Sequence, residues 1–432
     1  MHANLSLQQS PPFSVPAIFL VCAPLFGLAA ALVMLWHGPE MITHRWTAEL
    51  LAVTHFITLG FLAMSMLGAM MQLIPVLMGT VIPHAVLFSR LIHLPLFLGT
   101  TCLGFAWIAG IKILFITAMI LLGFSFSIFI LVAIERLIRS KNRHVTHSMM
   151  MLALFALSIT IGLGLYLTMG YTWQAFPLAR HLTNLHLSWG LLAWVGLLII
   201  AVAYQVIPMF QITDEYPAIH QRWMGWLLFT SIIILSAAYH WQLEMIKTIS
   251  EIILSICLLI FSLTTLWVLQ TRRRKIPDLT MKFWQLAMLS LAILIFLWLL
   301  STLFNFKLPI LLLGVLFIYG FAMTTITGMM YKIIPFIIWL HLSSRNKNLR
   351  TQGERESQVK VPHMRKIIPE AAGFWQFRIH FISLIILFLA TIWPAWLYYP
   401  ATLFFAISQA FLLYNLLKAV LFYNAKLNEL KN

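Results

Sequence analysis

Long apolar runs alternate with short polar breaks along almost the whole chain, and the runs are about the length that crosses a hydrocarbon core of roughly 30 Å as a helix. Twelve of them can be counted, at 15–36, 50–78, 88–110, 113–134, 148–170, 184–211, 222–244, 248–270, 281–304, 309–340, 374–395 and 398–422. The pattern predicts an all-α polytopic membrane protein of twelve transmembrane helices in a single membrane domain. No basic segment precedes the first run and no small-residue cleavage site follows it, so a retained helix is expected rather than a signal peptide.

The polar breaks differ in charge. Basic residues concentrate at Glu135–Arg143, Arg272–Lys275 and Ser343–Lys366, after runs four, eight and ten, while the alternate breaks carry few. By the positive-inside rule both termini are expected in the cytoplasm. The segment 343–366 is polar, charged and poor in aromatics, which predicts a solvated, disordered cytoplasmic connector.

A repeat emerges inside three runs. LGAMMQLIPVLMG around Pro75, IAVAYQVIPMFQI around Pro208 and TGMMYKIIPFIIW around Pro335 align without gaps. A small residue (Gly68, Ala201, Gly328) precedes a polar one (Gln72, Gln205, Lys332), then two aliphatics and the proline. Gly60 matches Gly320, with Ala193 between them in the series. The prolines are separated by four runs each time, so the chain divides into three four-helix quasi-repeats at about 15–134, 148–270 and 281–422. The next helix in each begins near a basic residue, Arg90, Arg222 or Arg378. Small residues and prolines are also ordinary packing devices in membranes; their recurrence in the same order favours duplication.

Composition reinforces this picture. The chain of 432 residues is 61% hydrophobic and 9% charged, outside the range of soluble domains. The net charge of +16 lies between the runs and reports topology, not nucleic-acid binding. Cys22, Cys102 and Cys257 all fall in apolar runs and offer no disulfide framework. No phosphate loop, nucleophile elbow or zinc-protease motif is present, and no run holds paired carboxylates.

Histidine is the remaining chemistry. Of 15 histidines, the predicted topology puts His55, His186 and His240 within runs two, six and seven near their outer ends. His37, His44 and His181 fall in or beside outer loops, whereas His84, His93, His144, His147, His220, His341, His363 and His380 are placed at or near the cytoplasmic side. Neutral imidazole is a common ligand for haem iron, copper and zinc. His55 and His186 are therefore candidate cofactor ligands, and His186 with His240 a candidate metal pair; the competing reading is a packed histidine bonded to a neighbouring carbonyl. Gly60 and the Trp189, Gly190, Trp194 and Gly196 after His186 suit a flat ring or, equally, close helix packing. Lys332, near the inner boundary, is expected to snorkel.

Twelve helices in three groups of four, with histidines toward the outer side, resemble the haem-copper oxidase subunit I superfamily. NLHLSWGLLAWVGLLIIAVAYQVIPMF (184–210) is similar in texture to the histidine-rich helices of its cbb3-type and nitric-oxide-reductase members. The resemblance implies haem, of b type, and copper, with His55 at a haem-ligand position and His186 and His240 at copper-ligand positions. Two departures stand out. Run ten lacks the haem-ligating histidines of that family, and run seven lacks its adjacent pair, which argues against an ordinary proton-pumping terminal oxidase. The architecture and runs one to six also resemble the NnrS family of haem- and copper-containing membrane proteins linked to nitric oxide stress.

A haem- or copper-binding protein of the bacterial inner membrane, with a redox or nitric oxide-related role, is the leading expectation. Its partners would be the lipid bilayer, an electron donor and other membrane subunits. A secondary transporter and a cofactor-free accessory protein are the alternatives; transporters of this size are commonly two halves of six, whereas the repeat here is three by four.

Overall fold

The computed structural model describes residues 7–273, 278–304, 306–351 and 361–429. Among them are twelve helices long and apolar enough to cross a membrane, the architecture of an integral membrane protein. They are α1 Ser14–His37, α2 Ala48–Met78, α3 Ala85–Ala109, α4 Lys112–Arg139, α5 Val145–Thr172, α6 Arg180–Gln211, α7 Ala218–His240, α8 Glu244–Gln270, α9 Leu279–Phe304, α10 Ile310–Lys347, α11 Glu370–Ala390 and α12 Pro394–Glu429. Phe13, at the start of α1, meets Tyr423, near the end of α12, with ring centroids 4.4 Å apart. Both ends of the bundle's chain thus lie on one face, called here the terminal face; the opposite one is the far face.

The helices follow one packing rule three times. In each group of four the first helix lies along the second, the third packs against the fourth, and the fourth packs against the first helix of the next group. The last of these contacts joins α12 to α1 and closes the ring. The second helices α2, α6 and α10 are correspondingly the most buried of the twelve. Each contains a π-helical stretch, Phe56–Ala63, Ser188–Gly196 and Val315–Met323, and the third stretch touches both of the others at the bundle centre. Every stretch closes 12 residues before the aligned proline. A wider turn leaves backbone groups off their usual partners, and such segments concentrate at functional sites.

Glycine lets the first helices approach. A Cβ at Gly60 would sit inside the ring of Phe26, one at Gly68 against the Phe19 side chain, and one at Gly328 against Phe283. Gly60 is consequently used by α1 for close packing and does not face the cavity described below. Gln72 donates to Ser10 Oγ at 2.8 Å. Lys332, at the aligned position, does not snorkel: its Nζ lies 2.8 Å from Asp278 Oδ2, and Gln211 Nε2 donates to Asp278 Oδ1 at 3.0 Å. This buried pair ties α9 to α10, and the amide adds the end of α6.

Three further expectations need correction. α7 ends at His240 and Glu244 already opens α8, so the predicted run 222–244 is displaced by about one turn. The connector 343–366 begins as helix, continuous from α10 to Thr351, and a short helix Met364–Ile367 precedes α11; residues 352–360 of that expectation, and 274–275 of the basic cluster, lie outside the described residues. Finally, His93 and His380 are buried inside α3 and α11 rather than set at a boundary.

Candidate functional site

The far-face half of the bundle encloses an apolar cavity of about 380 Å³. Its walls come from α2, α4, α5, α6 and α10, with single or few residues of α1, α3, α11 and α12, and it reaches Ile42 and Arg45 in the loop before α2. His55 and His186 both line it. Their ring centroids are 6.3 Å apart and their planes 18° from parallel.

Local structure fixes both imidazoles. His55 sits on the last α-helical turn of α2 before the π stretch, and its Nδ1 is 2.8 Å from the Leu51 carbonyl. His186 lies two residues before the π stretch of α6, and its Nδ1 is 3.1 Å from the Thr160 carbonyl of α5. A carbonyl only accepts, so each Nδ1 carries the proton and each Nε2 is left with its lone pair. Neither Nε2 has a hydrogen-bond partner among the described residues. Anchoring one ring nitrogen on a carbonyl is the usual way a protein orients an imidazole for ligation through the other.

The two histidines are not at matching repeat positions. His55 is 20 residues before Pro75, whereas His186 is 22 before Pro208. Trp107 of α3 lies against His55, centroid to centroid 4.6 Å, and Gly164 of α5 leaves room for the His186 ring: a Cβ there would be 3.1 Å from its Cε1. Trp194, another wall residue, has a buried indole N–H without a partner.

At the cavity mouth stands Arg45. Its Nη1 donates to Asn184 Oδ1 at 2.7 Å, and its guanidinium lies 4.2 Å over the Trp46 ring, with Arg180 at 5.7 Å from the same ring. Arg45 makes no ion pair among the described residues, and burial pulls its pKa down from the ordinary value. A guanidinium so placed can bind an acidic group.

His240 does not join the pair. It is exposed at the end of α7 and touches the Trp241 ring, outside the cavity. The physical reason is the earlier end of α7, which carries His240 out of the bundle. Among the described residues no three His, Cys, Asp or Glu side chains are grouped to hold a metal ion. Sequence reasoning missed Arg45, Trp107 and the Thr160 carbonyl. A lone arginine beside a tryptophan in a break otherwise poor in basic residues was the available signal for the first; the other two are supplied by packing.

Two imidazoles bound to one metal through Nε2 have centroids separated by two metal–nitrogen bonds of about 2 Å and two ring half-widths of about 1 Å, or about 6 Å in all. The observed centroid separation of 6.3 Å is compatible with that spacing. A haem asks for two axial ligands, an apolar slot and cations for its carboxylates, and His55, His186, the cavity and Arg45 fit each requirement. No protein-family model matches the chain, and no curated protein does.

Proposed function

We propose that the chain is a haem-binding redox protein of the bacterial inner membrane, a divergent relative of the haem-copper oxidase subunit I and NnrS families with both termini in the cytoplasm. The single observation carrying the reading is the His55–His186 pair, each Nδ1 tied to a carbonyl and the rings 6.3 Å apart within one apolar cavity. The threefold packing rule and the aligned π stretches support the subunit I-like architecture of three quasi-repeats. Arg136 and Arg139 at the end of α4, on the terminal face, support the cytoplasmic placement.

Bound haem supplies one-electron exchange. His55 and His186 would hold it through their Nε2 atoms, and a pair of imidazole ligands favours electron transfer over binding a substrate at the metal. Arg45 would orient its carboxylates toward the far face, and the apolar walls keep water away. Copper is the weaker half of the expectation, since His240 is remote and a copper site asks for three or more such ligands. A nitric oxide-related role rests on the resemblance alone.

A reduced-minus-oxidised optical spectrum with metal analysis on the purified protein tests this. The expected result is a Soret band that shifts on dithionite addition and is lost in both His55→Ala and His186→Ala. A colourless, metal-free preparation from haem-replete cells overturns the reading.

A further inference from the structure

The three second helices meet along the axis that relates the groups. On α2 the residues Met66, Ala69, Leu73 and Val76 follow a 3-4-3 spacing, and they and their aligned counterparts on α6 and α10 all line one pocket of about 100 Å³ in the terminal-face half of the bundle. Such a spacing is the seam of a coiled coil, which puts the pocket on that axis. It shares no wall residue with the cavity of His55 and His186.

The wall of this axial pocket is rich in thioethers. Methionine is 22 of the 432 residues, so the chain's composition would put about one in a wall of 23; five are there, Met66, Met70, Met209, Met329 and Met330. The larger far-face cavity has only Met34 and Met119 among 41 wall residues, the number that composition gives. Methionine is the flexible side chain that fills irregular gaps. Packing alone would have these five close the space, yet they surround it.

Four of the five come together, all of them buried. In the register that superposes Pro75 on Pro335, Met70 aligns with Met330, so these two stand at one height, with Met329 about 1.5 Å and Met66 about 6 Å nearer the bundle centre. Helical side chains lean toward the N-terminus, which carries the lower three thioethers toward the level of Met66. Met209 aligns with Val76 and lies about 9 Å away toward the terminal face. No histidine, cysteine or carboxylate among the described residues lines the pocket. Uncharged sulfur donors of this kind select Cu(I) over harder ions. A buried positive charge needs compensation, and the wall supplies two groups for it: Gln72, whose buried Oε1 has no partner among the described residues, and Trp284, the ring type that attracts cations best.

We infer that the axial pocket is a Cu(I) site with Met66, Met70, Met329 and Met330 as its thioether ligands. Two sulfurs come from α2 and two from α10, so the ion joins these helices directly below their π stretches. The site is separate from the imidazole pair and does not depend on what the far-face cavity binds.

Anaerobic titration of the full chain in detergent with Cu(I) buffered by bicinchoninate tests the site. The protein is expected to withhold one Cu(I) per chain from the chelator, and X-ray absorption at the copper edge should show a shell of sulfur. Met70→Leu and Met330→Leu nearly conserve volume. Each should weaken retention by at least about 10-fold, the smallest loss seen when the support of a metal ligand is disturbed. Met34→Leu and Met119→Leu, in the wall of the other cavity, should leave it unchanged, and the folded double variant His55→Ala with His186→Ala should bind Cu(I) as the wild type does. No copper withheld, undiminished retention in both methionine variants, a shell of nitrogen, or loss of binding in the histidine variant overturns the inference. If the methionine variants do not fold, protein carrying selenomethionine replaces them: copper should appear as a neighbour at the selenium edge, and a selenium shell without copper overturns it.

Discussion

His55 and His186 face one another at 6.3 Å although they occupy positions two residues out of register in the aligned helices. Two residues turn an α-helix by about 200°, so strict threefold symmetry would point them in different directions. What brings them together is local: Gly164 makes room for the His186 ring while Thr160, one turn earlier on α5, holds its Nδ1.

That dependence predicts the effect of Gly164→Ala. The new methyl would lie 3.1 Å from His186 Cε1, closer than ordinary contact, and must tilt the ring. Haem affinity measured by titration of the apoprotein is expected to fall by about 10- to 100-fold, the range seen when the support of a metal-ligating histidine is disturbed. Helicity by circular dichroism should be unchanged. Unaltered affinity would mean the ring position is not critical.

Glycines of two kinds predict opposite outcomes. At Gly60 a side chain would collide with the ring of Phe26 on α1, so Gly60→Ala is expected to destabilise by about 1–3 kcal/mol through overpacking. Combined with Phe26→Ala it should cost less than the sum of the two single changes, giving a coupling term of opposite sign. Gly162 has nothing within 4 Å, and Gly162→Ala should be neutral or stabilise by about 0.5–1 kcal/mol. Thermal unfolding in detergent compares the three.

Most of the bundle was legible because the hydrophobic run is itself the constraint: backbone groups in lipid must bond within the helix, and every predicted run corresponds to a helix. The errors fall where apolar residues make the turn. Ile392 and Trp393, both exposed, lie in the short connection before Pro394 opens α12. Read as membrane, they shift the eleventh run outward and push His380 toward the terminal face, when it lies mid-helix. His55 and His186 were legible as far-face imidazoles. Their pairing was not, since it rests on the Thr160 carbonyl and on π stretches that no residue type marks.

The Lys332–Asp278 pair predicts an asymmetry between single and double substitution. Side-chain exposures of 16% and 9% leave little water to screen either charge. Lys332→Met strands a buried carboxylate and is expected to cost about 3 kcal/mol, the low end for a broken buried pair because Gln211 still donates to Asp278. Lys332→Met with Asp278→Leu should recover most of that loss. A double variant no more stable than the single one would show that the carboxylate is held chiefly by its other contacts.

In the proposed haem site Arg45 is expected to bear on the potential of the group rather than on its retention. A positive charge near a redox centre favours the reduced, less positive state, so Arg45→Gln should lower the midpoint potential. An interaction on the order of 1 kcal/mol between two such charges corresponds to about 40 mV for one electron. The Soret band should persist, because His55 and His186 remain. If Arg45 instead binds the carboxylates tightly enough to be required for retention, the variant will lose haem on washing; spectroelectrochemical titration beside a haem assay separates the two, and a retained band at unchanged potential would remove Arg45 from the site.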